Sequence, residues 1–363
     1  MAYVAVRGGV QAIEASLERL KYERLQTGRP LDIDQVASGL AALIDQVMSE
    51  ASLYDREVAA LAVKQAEGSP EEAVFLLRAF RSTVERLHQT RPADSADLVV
   101  ERRLSAAFKD IPGGQWLGAT TDYSHRLIDF ALGDETPESV RAWVAAVEAS
   151  WATGPGATRT VFPKVVDYLR SEGLLVPVGD DDTKPLDVTK GGLTFPTTRS
   201  QRLQTLTRGQ TGTVTSLGYA SLRGYGALHP TVGELRVGRL PLVVGSLAGG
   251  EEDGYFFGEV RVTEVETIVP VETERGERTE LSFDLGYGLC FGKNETKTIA
   301  MSLLDQVLES GRDAGPLSDE EFVLLHVDSV EATGFISHLK LPHYVTFQSK
   351  LEGVRETRKG GHN

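Results

Sequence analysis

The feature that most constrains this chain is a change of hydrophobic period partway along it. Up to about residue 172, apolar side chains recur every three or four residues, which sets them on one face of an α-helix. Beyond residue 193 many alternate with polar ones, as the two faces of a strand require. Val10, Ile13, Leu17 and Leu20 mark an amphipathic helix over 9–26, and Val36, Leu40, Ile44 and Val47 a second over 33–50. Ser69-Pro70-Glu71-Glu72 supplies a cap, a proline suited to the first helical position and a glutamate that closes a capping box, so a helix opens there and runs to about Leu87. Residues 136–172 read as helical again from Thr136-Pro137-Glu138.

The stretch 177–192 (PVGDDDTKPLDVTKGG) is polar, acidic and glycine-bearing, and makes the best boundary. The chain is therefore expected to comprise a mainly helical region over 1–176, a linker over 177–192, and an α+β domain over 193–363 with a C-terminal metal-binding segment. Leu235–Val244, Tyr255–Val269 and Glu280–Phe291 read as strands of a mixed or antiparallel sheet. Asn294 can cap a helix reaching about Ser310. Ser318-Asp319-Glu320-Glu321 is a capping box for a helix that carries Phe322, Leu325 and Val330 and runs out at Gly334. The fold class is α+β: a helical N-terminal region, then a mixed or antiparallel sheet flanked by helices. No internal repeat is visible.

At 363 residues, 41% hydrophobic and 25% charged, the composition is that of a soluble globular protein. No run of eighteen apolar residues exists to span a bilayer, and the first residues lack a signal peptide's apolar centre, so the expected compartment is the cytoplasm. Cys290 is the only cysteine, which fits a reducing compartment and excludes an iron-sulfur cluster held on this chain's thiolates alone. With 38 basic against 52 acidic side chains the formal charge is −14, which repels a polyanion at long range and argues against general nucleic-acid binding. A small anion remains possible through a local cluster of arginines.

Two of the seven histidines, His338 and His343, lie in Ser337-His338-Leu339-Lys340-Leu341-Pro342-His343-Tyr344, where Pro342 prevents the pair from sharing one regular helix. Two neutral imidazoles can hold a divalent metal such as zinc, yet a stable site wants three or four protein ligands. The spacing suggests half a metal site, completed by another polypeptide or a substrate; the alternative is two histidines satisfied by hydrogen bonds at a buried turn. His326, among apolar neighbours in a predicted helix, reads as a core histidine rather than a third ligand.

Phosphate signatures nearly form and then fail. Asp284 to Gly292 (DLGYGLCFG) begins like a dinucleotide fingerprint, but its third glycine falls one residue late, and Gly292-Lys293-Asn294 has Asn where a P-loop needs Ser or Thr. What remains is a glycine-rich turn before a helix. Arg199, Arg202 and Arg208, followed by Arg223, form a basic exception on an acidic chain and suit a triphosphate, or else are ordinary solvated charges. After the Ile111-Pro112-Gly113-Gly114 turn, Asp122, His125, Arg126 and Asp129 recur at spacings of three and four, either as a functional polar face of a short helix or as an intrahelical charge network.

The same residues carry a resemblance. Tyr3-Val4-Ala5-Val6 with Gly8-Gly9, Asp55-Arg56-Glu57, Phe75-Leu76-Leu77-Arg78-Ala79, Lys109-Asp110-Ile111-Pro112-Gly113-Gly114-Gln115, His125-Arg126-Leu127, Arg223-Gly224-Tyr225-Gly226 and SHLKLPHY occur in order along nearly the whole chain. In them the chain resembles the PhnI subunit family of the bacterial carbon-phosphorus lyase core complex, with departures concentrated in residues 131–195.

The resemblance implies a subunit working with PhnG, PhnH, PhnJ and PhnL-like partners in phosphonate degradation. The implied reaction displaces the purine base of MgATP by an alkylphosphonate, giving a ribose 1-phosphonate 5-triphosphate; the isolated subunit is implied to be a purine nucleosidase on ATP or GTP. It also implies a zinc ion at an interface with PhnJ, with His338 and His343 as this chain's ligands. Expelling a purine builds oxocarbenium character on the ribose and negative charge on the base, so a carboxylate and a proton donor are needed, with arginines and Mg²⁺ on the triphosphate. Asp122, His125 and Asp129 are candidates for the first roles and Arg199, Arg202 and Arg223 for the phosphate grip. A competing reading makes the chain a non-catalytic architectural subunit supplying interface and metal ligands.

Overall fold

A computed structural model of the chain describes residues 9–152, 161–178, 184–223, 229–245, 254–275, 278–311 and 315–359. In order the elements are α1 Gly9–Leu25, α2 Ile33–Gly39, α3 Ala41–Ala51, α4 Arg56–Gln65, α5 Pro70–Thr83, β1 Val99–Leu104, α6 Pro137–Ala152, α7 Val165–Ser171, α8 Arg199–Arg208, α9 Thr211–Arg223, β2 Thr231–Gly245, β3 Gly254–Arg275, β4 Arg278–Phe291, α10 Glu295–Ser310, α11 Glu320–His326, α12 Ser329–Ser337 and α13 Tyr344–Lys359. The class is α+β, as the change of period requires.

The chain groups into two compact units, each built from non-consecutive segments. The first takes residues 1–85, 182–226 and 307–363; the second takes 86–181 and 227–306. The boundary read at 177–192 contains one of the crossings between them, at 181/182.

In the first unit, α2 to α5 enclose a core of Val36, Ile44, Val47, Met48, Ala59, Ala60, Val63, Ala73, Val74 and Leu77. The single helix expected over 33–50 is two. Gly39 weakens helical persistence, and Leu40 turns out of the helix at φ −109°, ψ 35° while its N–H still reaches Val36 O at 3.1 Å. The helix from Pro70 ends at Thr83 rather than near Leu87, with Ser69 accepting from the Glu72 N–H as expected. Similarly, Asp319 rather than Ser318 caps α11, and Asp328 starts a separate helix that carries Gly334 in its interior. An aspartate that accepts from the Val330 and Glu331 amides restarts the backbone more strongly than the apolar period can continue it.

In the second unit, four strands form an antiparallel sheet in the order β1-β2-β3-β4. The strand β1 stands in the region read as helical, because only six residues of it exist and their Val-Val-Glu-Arg-Arg-Leu pattern carries too little periodicity to recognise. Alternate residues point to opposite faces. One face sets Leu104, Leu235, Val237 and Val265 in an apolar cluster with Ile299 of α10. Gly286 and Gly288 belong to this face: a Cβ on them would lie 2.1 Å from Ser302 O and 2.4 Å from Thr298 O. The glycines that imitate a dinucleotide fingerprint therefore serve close helix-on-sheet packing.

The opposite face is charged and buried. Arg103, Glu234, Arg236 and Glu264 are each about 2% exposed or less. Arg103 pairs with Glu234, whose other oxygen accepts from the Val165 N–H at 2.9 Å. Arg236 Nε donates to Glu264 at 2.9 Å, Tyr287 Oη to the same carboxylate at 3.0 Å, and Lys164 Nζ to Glu264 at 3.1 Å and also to Glu266. Three cations thus meet three carboxylates beneath the start of α7, and on the same face Ile268, Phe283 and Leu285 pack with Val166 and Leu169 of α7, so charge neutralisation and apolar contact together close this side.

Candidate metal half-site and anion-binding residues

The local backbone around the histidine pair follows from Pro342. The helix α12 ends at Ser337 and tightens into a 3₁₀ turn over His338–Lys340, closed by the Leu341 N–H on His338 O at 2.9 Å. Leu341 is extended (φ −76°, ψ 157°), as a residue before proline must be, and His343 then accepts from the Phe347 N–H at 2.8 Å as α13 begins. The two rings are brought together by this turn: their centres lie 5.6 Å apart with planes at 57°.

Each imidazole is oriented through its inner nitrogen. His343 Nδ1 meets Leu341 O at 2.6 Å, and His338 Nδ1 meets Phe335 O, with the Phe335 ring edge-on at 5.1 Å. A carbonyl oxygen only accepts, so in both neutral rings Nδ1 carries the proton and Nε2 keeps its lone pair. Histidines that ligate a metal are held in this way, with the other ring N–H on a backbone carbonyl. A tetrahedral zinc about 2.0–2.1 Å from each nitrogen sets two ring centres roughly 5 Å apart, so the observed spacing fits one shared ion. The pair lines an open cleft of about 500 Å³ with Leu341, Pro342, Tyr344 and Val345. Among the described residues no group of three or more His, Cys, Asp or Glu side chains stands close enough to hold a metal. His326 is exposed rather than a core histidine; its Nδ1 is bonded to Phe322 O at 2.7 Å and its ring stacks on Phe322. The apolar neighbours that suggested burial lie on the other side of α11, where Val323 and Leu324 are buried.

The arginines of the first unit stand in different surroundings. Arg199 begins α8 and Arg223 ends α9 with its side chain exposed. Arg202 is engaged by carboxylates: it donates to Thr197 O at 2.8 Å and to Glu320 at 3.3 Å, and pairs with Glu309. Burial alone would raise the Glu320 carboxyl, but hydrogen bonds from Thr197 and Arg202 hold it below its usual range. Gly224, Tyr225 and Gly226 lie outside the described residues.

The sequence sets Arg208 beside Arg199 and Arg202, but in the structure it belongs with Arg78 and Arg81, a grouping that sequence reasoning passed over. Arg78 grips Asp328 with Nη1 at 2.7 and 2.8 Å and donates from Nη2 to Glu50 O and Arg208 O, and Arg81 donates to Ala51 O at 2.9 Å. Burial, then the neighbouring Arg78 and Arg81 charges, push the Arg208 guanidinium down to about 10. Arg78 and Arg81 share one face of α5, but Arg208 lies far from them in sequence, and only the packing of α3, α5, α8 and α12 brings it to them.

In the second unit, Asp122, His125 and Asp129 are exposed and lie in irregular chain, not on a helix. The helical spacing fails because Arg126 adopts φ +55° and Asp122 is drawn to the buried Arg102. Arg102 also donates to Glu295 at 2.9 Å and to Leu117 O at 2.6 Å, so it anchors this segment to β1 and α10. Asp129 caps a 3₁₀ turn by accepting from the Ala131 N–H at 3.0 Å. No hydrogen bond or ion pair joins the three side chains. The turn before α10 uses its amides internally, Gly292 N–H on Arg261 O at 2.7 Å and Asn294 N–H on Thr263 Oγ1 at 3.0 Å, which leaves few donors for a phosphate.

The chain is similar to known proteins over nearly its full length. The family described as "Bacterial phosphonate metabolism protein (PhnI)" matches residues 2–361. A putative C-P lyase subunit protein, HtxH, of Stutzerimonas stutzeri is 45% identical over 99% of this chain and 96% of its own length. The PhnI subunits of alpha-D-ribose 1-methylphosphonate 5-triphosphate synthase from Escherichia coli (strain K12) and Rhizobium meliloti (strain 1021) are each 43% identical, over 98% of this chain and 98% and 95% of their own lengths. No described helix is long and apolar enough to cross a membrane. An α+β chain matched by this family over residues 2–361, and 43% identical to PhnI subunits over 98% of its length, belongs to the PhnI family of bacterial phosphonate metabolism proteins.

Proposed function

We propose that this chain is the subunit of a cytoplasmic carbon-phosphorus lyase core complex that displaces the purine base of MgATP by an alkylphosphonate, giving a ribose 1-phosphonate 5-triphosphate. Its assembly partners are PhnG, PhnH, PhnJ and PhnL-like subunits, and alone it acts as a purine nucleosidase on ATP or GTP. The observation that carries the reading is the histidine pair: two imidazoles turned by backbone carbonyls so that both Nε2 atoms are available, with too few ligands to finish a shell. His338 and His343 would hold zinc together with a ligand from another chain. Bound zinc supplies a Lewis acid that neutralises anionic oxygens of the substrate. Mg²⁺ enters with the nucleotide.

The chain's own residues have separable tasks. Arg199, Arg202 and Arg223 are the candidates to grip the triphosphate, Arg202 by exchanging Glu309 or Glu320 for it. His125 is the candidate proton donor to the departing base, and Asp122 or Asp129 the carboxylate that stabilises positive charge on the ribose. A second reading, an architectural subunit, is favoured by one observation: Asp122 is already neutralised by Arg102. The experiment is to incubate the assembled complex with ATP and methylphosphonate, and the chain alone with ATP, and follow free adenine by chromatography. Adenine from the isolated chain, lost in Asp122→Asn or His125→Ala, supports the catalytic reading; adenine from the complex but not from the chain supports the architectural one.

A further inference from the structure

The second unit carries a segment that buries nothing of its own. From Tyr123 to Ala152 no described residue is buried. Yet this stretch holds Leu127 (82% exposed), Phe130 (84%), Trp143 (68%) and Trp151 (74%), with Ile128 and Leu132 beside them. On α6 the residues Val140, Val144, Val147 and Trp151 recur at intervals of four, three and four, which is one stripe of a helix. Large aromatic side chains on an exposed stripe are the composition of a protein-protein contact, and monomers rarely leave so much apolar surface in water. The root of the segment is fixed, because the buried Arg102 holds both Asp122 and Leu117 O.

Charge narrows the occupant. Residues 123–152 carry Asp129, Asp134, Glu135, Glu138 and Glu148 against Arg126 and Arg141, and Arg141 is already paired with Glu138. A second copy of a chain of net charge −14 would bring like charges together, and an anionic membrane surface would repel the same face. We propose that residues 123–152 are a docking arm whose apolar stripe enters a groove, rimmed by lysine and arginine, on a different subunit of the same enzyme. This rests on the reading of the chain as a working subunit of a multi-chain complex, and adds to it a contact surface separate in sequence from the histidine pair.

The test uses the full-length chain co-purified with PhnG, PhnH and PhnJ. Trp143→Ala/Trp151→Ala and Leu127→Ser/Phe130→Ser are expected to leave the circular dichroism spectrum and melting temperature unchanged, since these side chains are largely exposed. Each pair is expected to weaken capture of one companion subunit by about thirtyfold or more. Asp134→Lys/Glu135→Lys should weaken the same capture and flatten its dependence on salt. Capture within twofold of the unaltered chain in all three variants overturns the arm while leaving the subunit reading intact. Failure of the unaltered chain to capture any companion overturns the subunit reading itself. A homodimer of the isolated chain that the aromatic substitutions dissolve assigns the arm to a second copy and overturns the proposed occupant.

Discussion

His338 and His343 present their rings 5.6 Å apart across a proline turn, each with Nδ1 against a main-chain carbonyl. The relationship fixes the Nδ1–H tautomer of both neutral rings and leaves each Nε2 its lone pair, the form that the proposed zinc ligation needs. His338→Ala or His343→Ala is expected to lower zinc retained by the assembled complex at least about tenfold, measured by elemental analysis after dialysis. The isolated unaltered chain, with two ligands, should give its zinc up to a weak chelator that the complex resists. Undiminished zinc in both variants would remove the pair from the metal site.

The carboxylates of the charged sheet face give a pH dependence. Burial, with the neighbouring Glu264 adding to it and Lys164 opposing it, pushes the Glu266 carboxyl up from 4.5 to about 7. Between those values the folded chain holds a proton that the unfolded chain has released, so this group's stabilisation is complete below about 4.5 and is lost as pH rises through 7. Glu266→Gln should therefore gain stability relative to the unaltered chain as pH is raised from 5 to 8, by up to about 3 kcal/mol. Urea unfolding at several pH values measures it; a constant difference across the range would refute the assignment.

Arg103 and Glu234 are both buried and satisfy each other, with Arg103 also donating to Pro163 O at 2.9 Å. Removing the cation alone leaves a buried carboxylate uncompensated. Arg103→Met is expected to cost about 3–5 kcal/mol, and Arg103→Met/Glu234→Leu less than the sum of the two single changes. A double-mutant cycle by urea denaturation decides it, and strict additivity would show that the two do not act as a pair.

The β4 glycines should be intolerant of a methyl group. Gly286→Ala and Gly288→Ala each drive a Cβ against a backbone oxygen of α10, at 2.1 and 2.4 Å, so each should lower stability by about 1–3 kcal/mol. Gly191→Ala, where nothing lies within 4 Å, is the control. Thermal melts of the three variants check the contrast, which vanishes if the glycines only shape a loop.

The sequence by itself determined the fold class, the helix starts at Ser69 and near Asn294, the three long strands, and the turn at Pro342 that sets two histidines on a connection. Those features are local: a cap, a period or a proline acts over a few residues, and a sequence displays it directly. The break at Leu40, the restart at Asp328 and the short strand β1 were less legible, because backbone capping and strand pairing outweigh weak periodicity. The apparent polar face from Asp122 to Asp129 failed for a related reason: Arg102, twenty residues away, draws Asp122 out of any helical spacing. Only the tertiary structure decided that Arg202 faces carboxylates, that Arg78, Arg81 and Arg208 cluster, that three cations and three carboxylates share one sheet face, and that the glycines of β4 receive a helix rather than a phosphate. Each of these joins residues distant in the chain, and no spacing in a sequence encodes a contact that packing alone creates.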